Sequence, residues 1–290
     1  MDLNRPAVIA ALLTPFDAEG RLDVTALREH VADILDAGVD GLMPCGTTGE
    51  GALLSEDEVT AVVRATVAAA GDRAPVLAHV GRPGTLPTLQ LARRAVDEGA
   101  KGIAAVVPYY YPVDGDQIRS HYATLAEGLD APLYAYTIPT NTHNELEPAL
   151  LEQLAGDGVV GLKDSTKSLE RHREYAAVAR GLGDSFALYD GSASLVLDSL
   201  REGSAGAVLA LANLRPELCT ALLKAWGEGD EQEAQRVQDE MTAAEGALDD
   251  GSAPMLTNLK RAVADRMRDR GVAYGPELRG PLGSGVTVGR

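Results

Sequence analysis

From its first residues to about position 228, the chain alternates short apolar runs with longer segments of helical period. The runs at 8–15, 41–45, 76–80, 102–108, 133–138, 159–163, 186–190 and 206–212 are rich in β-branched and small apolar residues and read as buried strands. Between them, 23–37, a segment from 55, 86–98, 116–128, 148–155, 169–180, 194–201 and a segment from Pro216 carry helical spacing. Asp23 is positioned to cap the first of these helices, and Ser55 with Glu58 forms a capping box on the second. Strands too apolar to face water on either side, each followed by a helix, predict a parallel sheet covered by helices. Eight such units favour an α/β fold closed into a (β/α)8 TIM barrel over an open doubly wound sheet, and the first strand is not followed by a glycine-rich dinucleotide turn. Past 228 the strand pattern stops. Two helices are predicted at 231–248 and 254–270, separated by Asp249-Asp250-Gly251-Ser252. The expected organisation is a catalytic barrel over 1–227 and a helical extension over 228–290, ending in a loose tail from Gly280.

Composition narrows the function. A formal charge of −17 argues against nucleic acid or an anionic membrane as partner. No apolar run has the length of a membrane span, and the N-terminus lacks the pattern of a signal peptide. Cys45 and Cys219 are too few for a disulfide framework, so a cytoplasmic protein with free thiols is expected. His30, His79, His121, His143 and His172 show no metal-site spacing; no metal or cofactor is expected, and none of these histidines is assigned a role.

The chemistry of a barrel of this kind gathers at the carboxyl ends of its strands. There the sixth run ends in Val160-Gly161-Leu162-Lys163-Asp164. The chain has five lysines against 21 arginines, so a lysine here is a departure from its habitual cation. Burial lowers a lysine's pKa and frees the amine to attack a carbonyl, although a strand-end lysine can also simply reach out to solvent. After the second run comes Gly46-Thr47-Thr48-Gly49-Glu50, whose hydroxyls and backbone N–H groups can hold a small carboxylate or form only a tight turn. The fourth run leads into Pro108-Tyr109-Tyr110-Tyr111-Pro112, a phenolic edge suited to a subunit contact, a proton relay or plain packing. Alternation puts Tyr134 and Tyr136 of the fifth run on one face, from which a phenol beside an amine can move protons.

These segments, in this order, resemble the dihydrodipicolinate synthase/N-acetylneuraminate lyase family of pyruvate-dependent class I aldolases, over about residues 7–225. The resemblance implies that Lys163 forms an imine with pyruvate and that Tyr136 shuttles protons. It implies that Thr47 and Thr48 hold the pyruvyl carboxylate, with Thr47 also in the hydroxyl relay, and that Val208 lines the pyruvyl pocket. Tyr110 matches the tyrosine that family members insert into a neighbouring subunit's site, so a homotetramer built as a dimer of dimers is expected. Dihydrodipicolinate synthases carry an arginine two residues after the fifth-strand proline, where this chain has Asn141 after Pro139. Without that charged fork a carboxylate loses on the order of 2–3 kcal/mol.

The expected activity is therefore reversible cleavage of a 4-hydroxy-2-oxo acid, of the 2-keto-3-deoxy sugar-acid or 4-hydroxy-2-oxoglutarate type, to pyruvate and an aldehyde. Condensation of pyruvate with aspartate semialdehyde is the alternative, followed by a dehydratase on the same imine and by a non-catalytic sensor of 2-oxo acids. Choice of the aldehyde is expected to rest on the loops carrying Asn141, Thr142, Gly191 and Ser192.

Overall fold

The computed structural model describes residues 6–283 of the chain. Eight parallel strands run β1 (Ala7–Ala11), β2 (Gly41–Met43), β3 (Leu77–His79), β4 (Gly102–Val106), β5 (Leu133–Thr137), β6 (Val159–Asp164), β7 (Ala187–Asp190) and β8 (Gly206–Leu209). Apart from β2 and β3, each neighbour in sequence is a neighbour in the sheet, and β8 pairs with β1. Between β2 and β3 the ring is joined by the bridge of Leu42 to Val76 and by the His79 N–H donating to the Pro44 carbonyl. The chain is a TIM barrel with additional helices at its C-terminus.

The helices of the barrel are α1 (Val24–Asp36), α2 (Glu56–Ala70), α3 (Thr85–Asp97), α4 (Gly115–Glu127), a one-turn α5 (Pro139–Thr142), α6 (Leu151–Gly156), α7 (Leu169–Leu182), α8 (Val196–Arg201) and α9 (Pro216–Gly227). Asp23 accepts the Ala26 N–H, and Ser55 and Glu58 close the capping box that their spacing predicts. Alternation divides the strand residues between two cores. Ile9, Met43, Leu77, Ala104, Tyr189 and Val208 fill the barrel, while Val8, Leu42, Ile103 and Leu162 face the helices.

The apolar pattern overruns most of the strands, and furthest at the ends of β1 and β8. The expected strand at 8–15 leaves the ladder after Ala11, and that at 206–212 leaves it after Leu209 and enters a 3-10 turn, Leu211–Asn213. The buried Asn213 side chain takes over the hydrogen bonding there. It accepts the Leu13 N–H at 2.9 Å and donates to the Ala11 and Ala210 carbonyls at 2.7 and 2.8 Å. The helix α5, which the sequence reading passes over, begins on Pro139, whose missing N–H and fixed φ suit a first helical turn.

Beyond the barrel, α10 (Glu231–Leu248) packs on α9, and α11 (Met255–Asp269) folds back so that Lys260 is fully buried. The Lys260 Nζ donates to Glu50 Oε1 at 2.6 Å, with no exposed surface on either side chain, and lies 4.2 Å from the centre of the Phe16 ring. The chain then returns to the barrel: the Arg279 N–H donates to Glu50 Oε2 at 2.7 Å, and Leu278 is buried. Of the segment expected to be loose, Leu282 reaches the cavity beside Glu50, whereas Ser284 and Gly285 lie outside the described residues.

Removing one partner of a buried ion pair strands the other charge. Lys260→Met should therefore cost about 3–5 kcal/mol in urea unfolding. The double variant Lys260→Met, Glu50→Gln should recover most of the loss. A single variant as stable as the parent chain would show that the pair does not fasten α11 to the barrel.

Candidate active site

Lys163 stands one residue before the end of β6, paired in register with Tyr136 of β5 and Tyr189 of β7. All three point into the barrel, where Gly161 two residues earlier makes room for the Tyr134 ring. The Lys163 side chain is buried, with its Nζ 4.2 Å from the centre of the Tyr136 ring. Burial holds its ammonium pKa below the ordinary lysine value, against the opposing pull of Tyr136 and, further off, Asp190. The Tyr136 hydroxyl is 3.2 Å from Thr47 Oγ1. Amine, phenol and hydroxyl, drawn from β6, β5 and the loop after β2, thus meet at one end of the barrel.

The Gly46–Glu50 loop that supplies Thr47 is wound tightly on itself. Cys45 and Glu50 take left-handed φ angles of 62° and 57°, and the Gly51 N–H returns to the Gly46 carbonyl at 3.0 Å. A Cβ on Gly51 would come within 1.7 Å of the Cys45 carbonyl, so only glycine fits. Glu50 is not turned to the substrate side as a free acid; Lys260 and the Arg279 N–H hold both of its oxygens. Thr48 is half-buried beside Thr47, and Val208 is buried in the inward-facing cluster.

Behind Lys163 lies a polar network that the sequence reading misses. Asp164 Oδ2 is 2.9 Å from His172 Nδ1, and His172 Nε2 is 2.7 Å from Ser204 Oγ, all buried. Asp164 Oδ1 also accepts the Thr166 N–H, which shapes the turn just after the lysine. On β7, Asp190 accepts from Ser199 Oγ and the Ser192 N–H, and burial raises its carboxyl to about 6. Gly191 donates its N–H to the Asp164 carbonyl, and a Cβ there would strike Ser165 Oγ at 2.1 Å. It shapes the same turn.

A cavity of about 260 Å³ opens next to this cluster and shares Thr47 with it. Asn141 and Thr142 of α5, Tyr109 and Ile138 line it, as does His79 at the end of β3. His79 was assigned no role from sequence, yet its position as the last residue of a barrel strand was a usable signal. Its Nδ1 is 3.0 Å from the Cys45 carbonyl and its ring stands edge-on to Tyr136, 5.7 Å between centres. Tyr110 does not join the cluster within one chain. It is 80% exposed, with its ring edge-on to Tyr111 and a left-handed φ of 80°. The buried Asn144 stabilises that loop by donating to the Pro108 and Tyr111 carbonyls, both at 2.8 Å.

Known proteins resemble this chain in sequence and fold. The model of the dihydrodipicolinate synthetase family matches residues 5–287. An uncharacterized DapA-like lyase of Halobacterium salinarum is 38% identical over 286 residues, covering 96% of this chain and 90% of that protein. A 4-hydroxy-tetrahydrodipicolinate synthase of Natronomonas pharaonis is 37% identical over 235 residues, covering 81% and 79%. Among solved structures, YagE, a prophage protein from E. coli crystallised with pyruvate, superposes with a TM-score of 0.90 at 27% identity, covering 98% of this chain and 94% of its own.

The packing around Lys163 yields a stability prediction. A Cβ on Gly161 would sit 2.5 Å from the Ala187 carbonyl and 2.7 Å from the Tyr134 ring. Gly161→Ala should destabilise the fold by about 1–3 kcal/mol in denaturant unfolding. Gly156→Ala, where a Cβ would meet nothing within 4 Å, should be neutral or slightly stabilising. Equal effects would refute the close packing of β6 on β5.

Proposed function

The chain belongs to the dihydrodipicolinate synthetase family, and from that premise we propose that it is a lyase that reversibly cleaves a 4-hydroxy-2-oxo acid to pyruvate and an aldehyde. The observation that carries the reading is the buried Lys163 amine against Tyr136, itself hydrogen-bonded to Thr47.

The neutral amine of Lys163 attacks the 2-oxo carbon, and the carbinolamine loses water to give an iminium. Tyr136, in contact with Thr47, supplies the proton to the departing oxygen and is left as a phenolate. The iminium then accepts the electron pair of the C3–C4 bond as the C4 hydroxyl gives up its proton to that phenolate and the aldehyde departs. Protonation of the enamine at C3 and hydrolysis release pyruvate and restore the amine. Thr47, Thr48 and neighbouring loop N–H groups hold the pyruvyl carboxylate, and Val208 walls the pocket. Asn141 and the turn at Gly191 belong to the aldehyde side.

The synthase reading, in which aspartate semialdehyde is the acceptor, draws support from the Natronomonas pharaonis relative. Its acceptor carries a carboxylate, and no arginine or lysine is among the described residues lining the cavity beside Thr47. We therefore rank it second. The cytoplasm is the compartment that suits two buried free cysteines. We also propose a homotetramer in which Tyr110 enters the neighbouring subunit's site; its exposure and left-handed backbone support this.

Three outcomes are expected. Pyruvate should be released from 2-keto-3-deoxygluconate or 4-hydroxy-2-oxoglutarate by the parent chain and not by Lys163→Ala; release by both would remove Lys163 from the mechanism. Because the protonated amine is inert, kcat/KM should rise with pH through a midpoint below the ordinary lysine value of about 10.4. A midpoint at that value would contradict the buried amine. Tyr110→Ala should lower kcat about 10–100-fold and shift the sedimentation mass or the cooperativity of assembly. An unchanged rate would exclude a role across subunits.

A further inference from the structure

Three buried side chains stand in line behind Lys163. Asp164 ends β6, His172 lies in the first turn of α7, and Ser204 precedes β8. His172 Nδ1 donates to Asp164 Oδ2 at 2.9 Å, and in that tautomer its Nε2 accepts from the Ser204 hydroxyl at 2.7 Å. The order of hydroxyl, imidazole and carboxylate is that of an activated nucleophile. A hydrolytic role fails on the surroundings of Ser204. The N–H groups of Gly203, Ser204 and Ala205 are committed to the carbonyls of Leu200, Ser199 and Leu188, so none of the three is free to hold an oxyanion. The consequence of the network lies at its other end, where Asp164 follows Lys163 directly.

Asp164 makes the turn that stops β6 just past the lysine, and it shares with Leu162 the face turned to the helices. Its Oδ1 accepts the Thr166 N–H at 2.8 Å, its carbonyl accepts the Gly191 N–H at 2.7 Å, and the Ser165 N–H donates to the Thr137 carbonyl at 2.9 Å. Asp190 of β7 is the register partner of Asp164 and is also buried, so two carboxylates stand side by side. Burial is the main reason that the Asp190 carboxyl sits at about 6; among its neighbours Asp164 raises it and His172 lowers it. Without the imidazole, Asp164 Oδ2 becomes a buried acceptor beside a like charge, and it regains a partner only by leaving the turn or by admitting water. Lys163, one peptide bond away, moves with it. Its Nζ sits 4.2 Å from the centre of the Tyr136 ring. A displacement of about 1 Å there is enough to spoil proton transfer.

Resting on the aldolase reading above, we infer that His172 is a positioning residue of the active site: by donating from Nδ1 to Asp164 it holds the turn behind Lys163, and so the amine itself, in place beside Tyr136. It lies on the helix side of the sheet and touches no substrate. The pyruvyl carboxylate is held from the loop after β2, which His172 does not reach, so its effect falls on turnover and leaves binding alone.

Exchange of the C3 protons of pyruvate for deuterium in heavy water tests this on the full-length enzyme with pyruvate alone, because each exchange requires the imine to lose and regain a proton at C3. Rates are followed by NMR with Lys163→Ala as the blank. They are divided by the number of sites that borohydride traps with pyruvate at completion, which separates slow sites from missing ones. His172→Ala should lower kcat per site about 10–100-fold, with the KM for pyruvate changed by less than about threefold. His172→Asn, whose amide nitrogen falls where Nδ1 stood, should keep kcat within about threefold of the parent. His172→Gln, whose amide falls where Nε2 stood and keeps only the Ser204 contact, should be as slow as His172→Ala. Equal rates for the Asn and Gln variants would overturn the inference, as would a loss confined to the number of trappable sites or a rise in KM at unchanged kcat. The Asn and Gln pair decides even where His172→Ala fails to fold; failure of every one of these variants to fold would make the role of His172 structural alone and overturn the inference too. A borohydride adduct and exchange in the parent chain, with the wrong order among the variants, sink only the His172 assignment, whereas no adduct in the parent sinks the aldolase reading as well.

Discussion

A primary amine buried at the carboxyl end of β6 is the constraint around which the molecule is arranged. Water would keep Lys163 protonated; the barrel removes that water and replaces it with the face of Tyr136. Taking a charge out of water is costly, and the protein meets the cost by favouring the neutral amine. Asp190 is far enough away, and itself raised to about 6 by burial, that it does not lock the lysine into a tight ion pair. A salt-bridged lysine would be a poor nucleophile. The same burial that penalises the charged form is what makes imine chemistry at this position physically reasonable.

The second requirement is a rigid loop carrying Thr47 to the Tyr136 hydroxyl. Glycine permits the close backbone approach at Gly49 and Gly51, beside the left-handed Cys45 and Glu50, but it does not by itself fix the loop. Fixation comes from the far end of the chain, where Lys260 and the Arg279 N–H grip Glu50 beneath it. The C-terminal helices are thus more than a cover. They contribute the cation that a buried carboxylate needs, and they bring Leu282 to the edge of the neighbouring cavity. Stability of the extension and geometry of the loop are tied through one ion pair.

Much of this was legible in the chain. Strands buried on both faces have to be apolar throughout, so the alternation of 3.6-residue periodicity with short apolar runs marked the eight units, and capping residues marked α1 and α2. Lys163 stood out as a lysine at a strand end of an arginine-rich chain, Tyr136 and Thr47 took their roles from the family resemblance, and the structure brings all three together. What stayed hidden depends on contacts distant in sequence. Nothing near Glu50 announces Lys260, 210 residues away, and nothing near Leu13 announces Asn213. His79 escaped notice because spacing tests look for metal sites, and a single neutral imidazole leaves no spacing. The ends of β1 and β8 ran short because apolar residues continue past the ladder into turns that Asn213 holds.

The central claim is that the Lys163 amine forms an imine with pyruvate. Incubation with pyruvate and borohydride, followed by digestion and peptide mass mapping, addresses it most directly. The account predicts a single reduced adduct, on the peptide containing Lys163, absent when pyruvate is omitted. Stoichiometric adduct on Lys260, or on any of the other lysines with Lys163 unmodified, would contradict it.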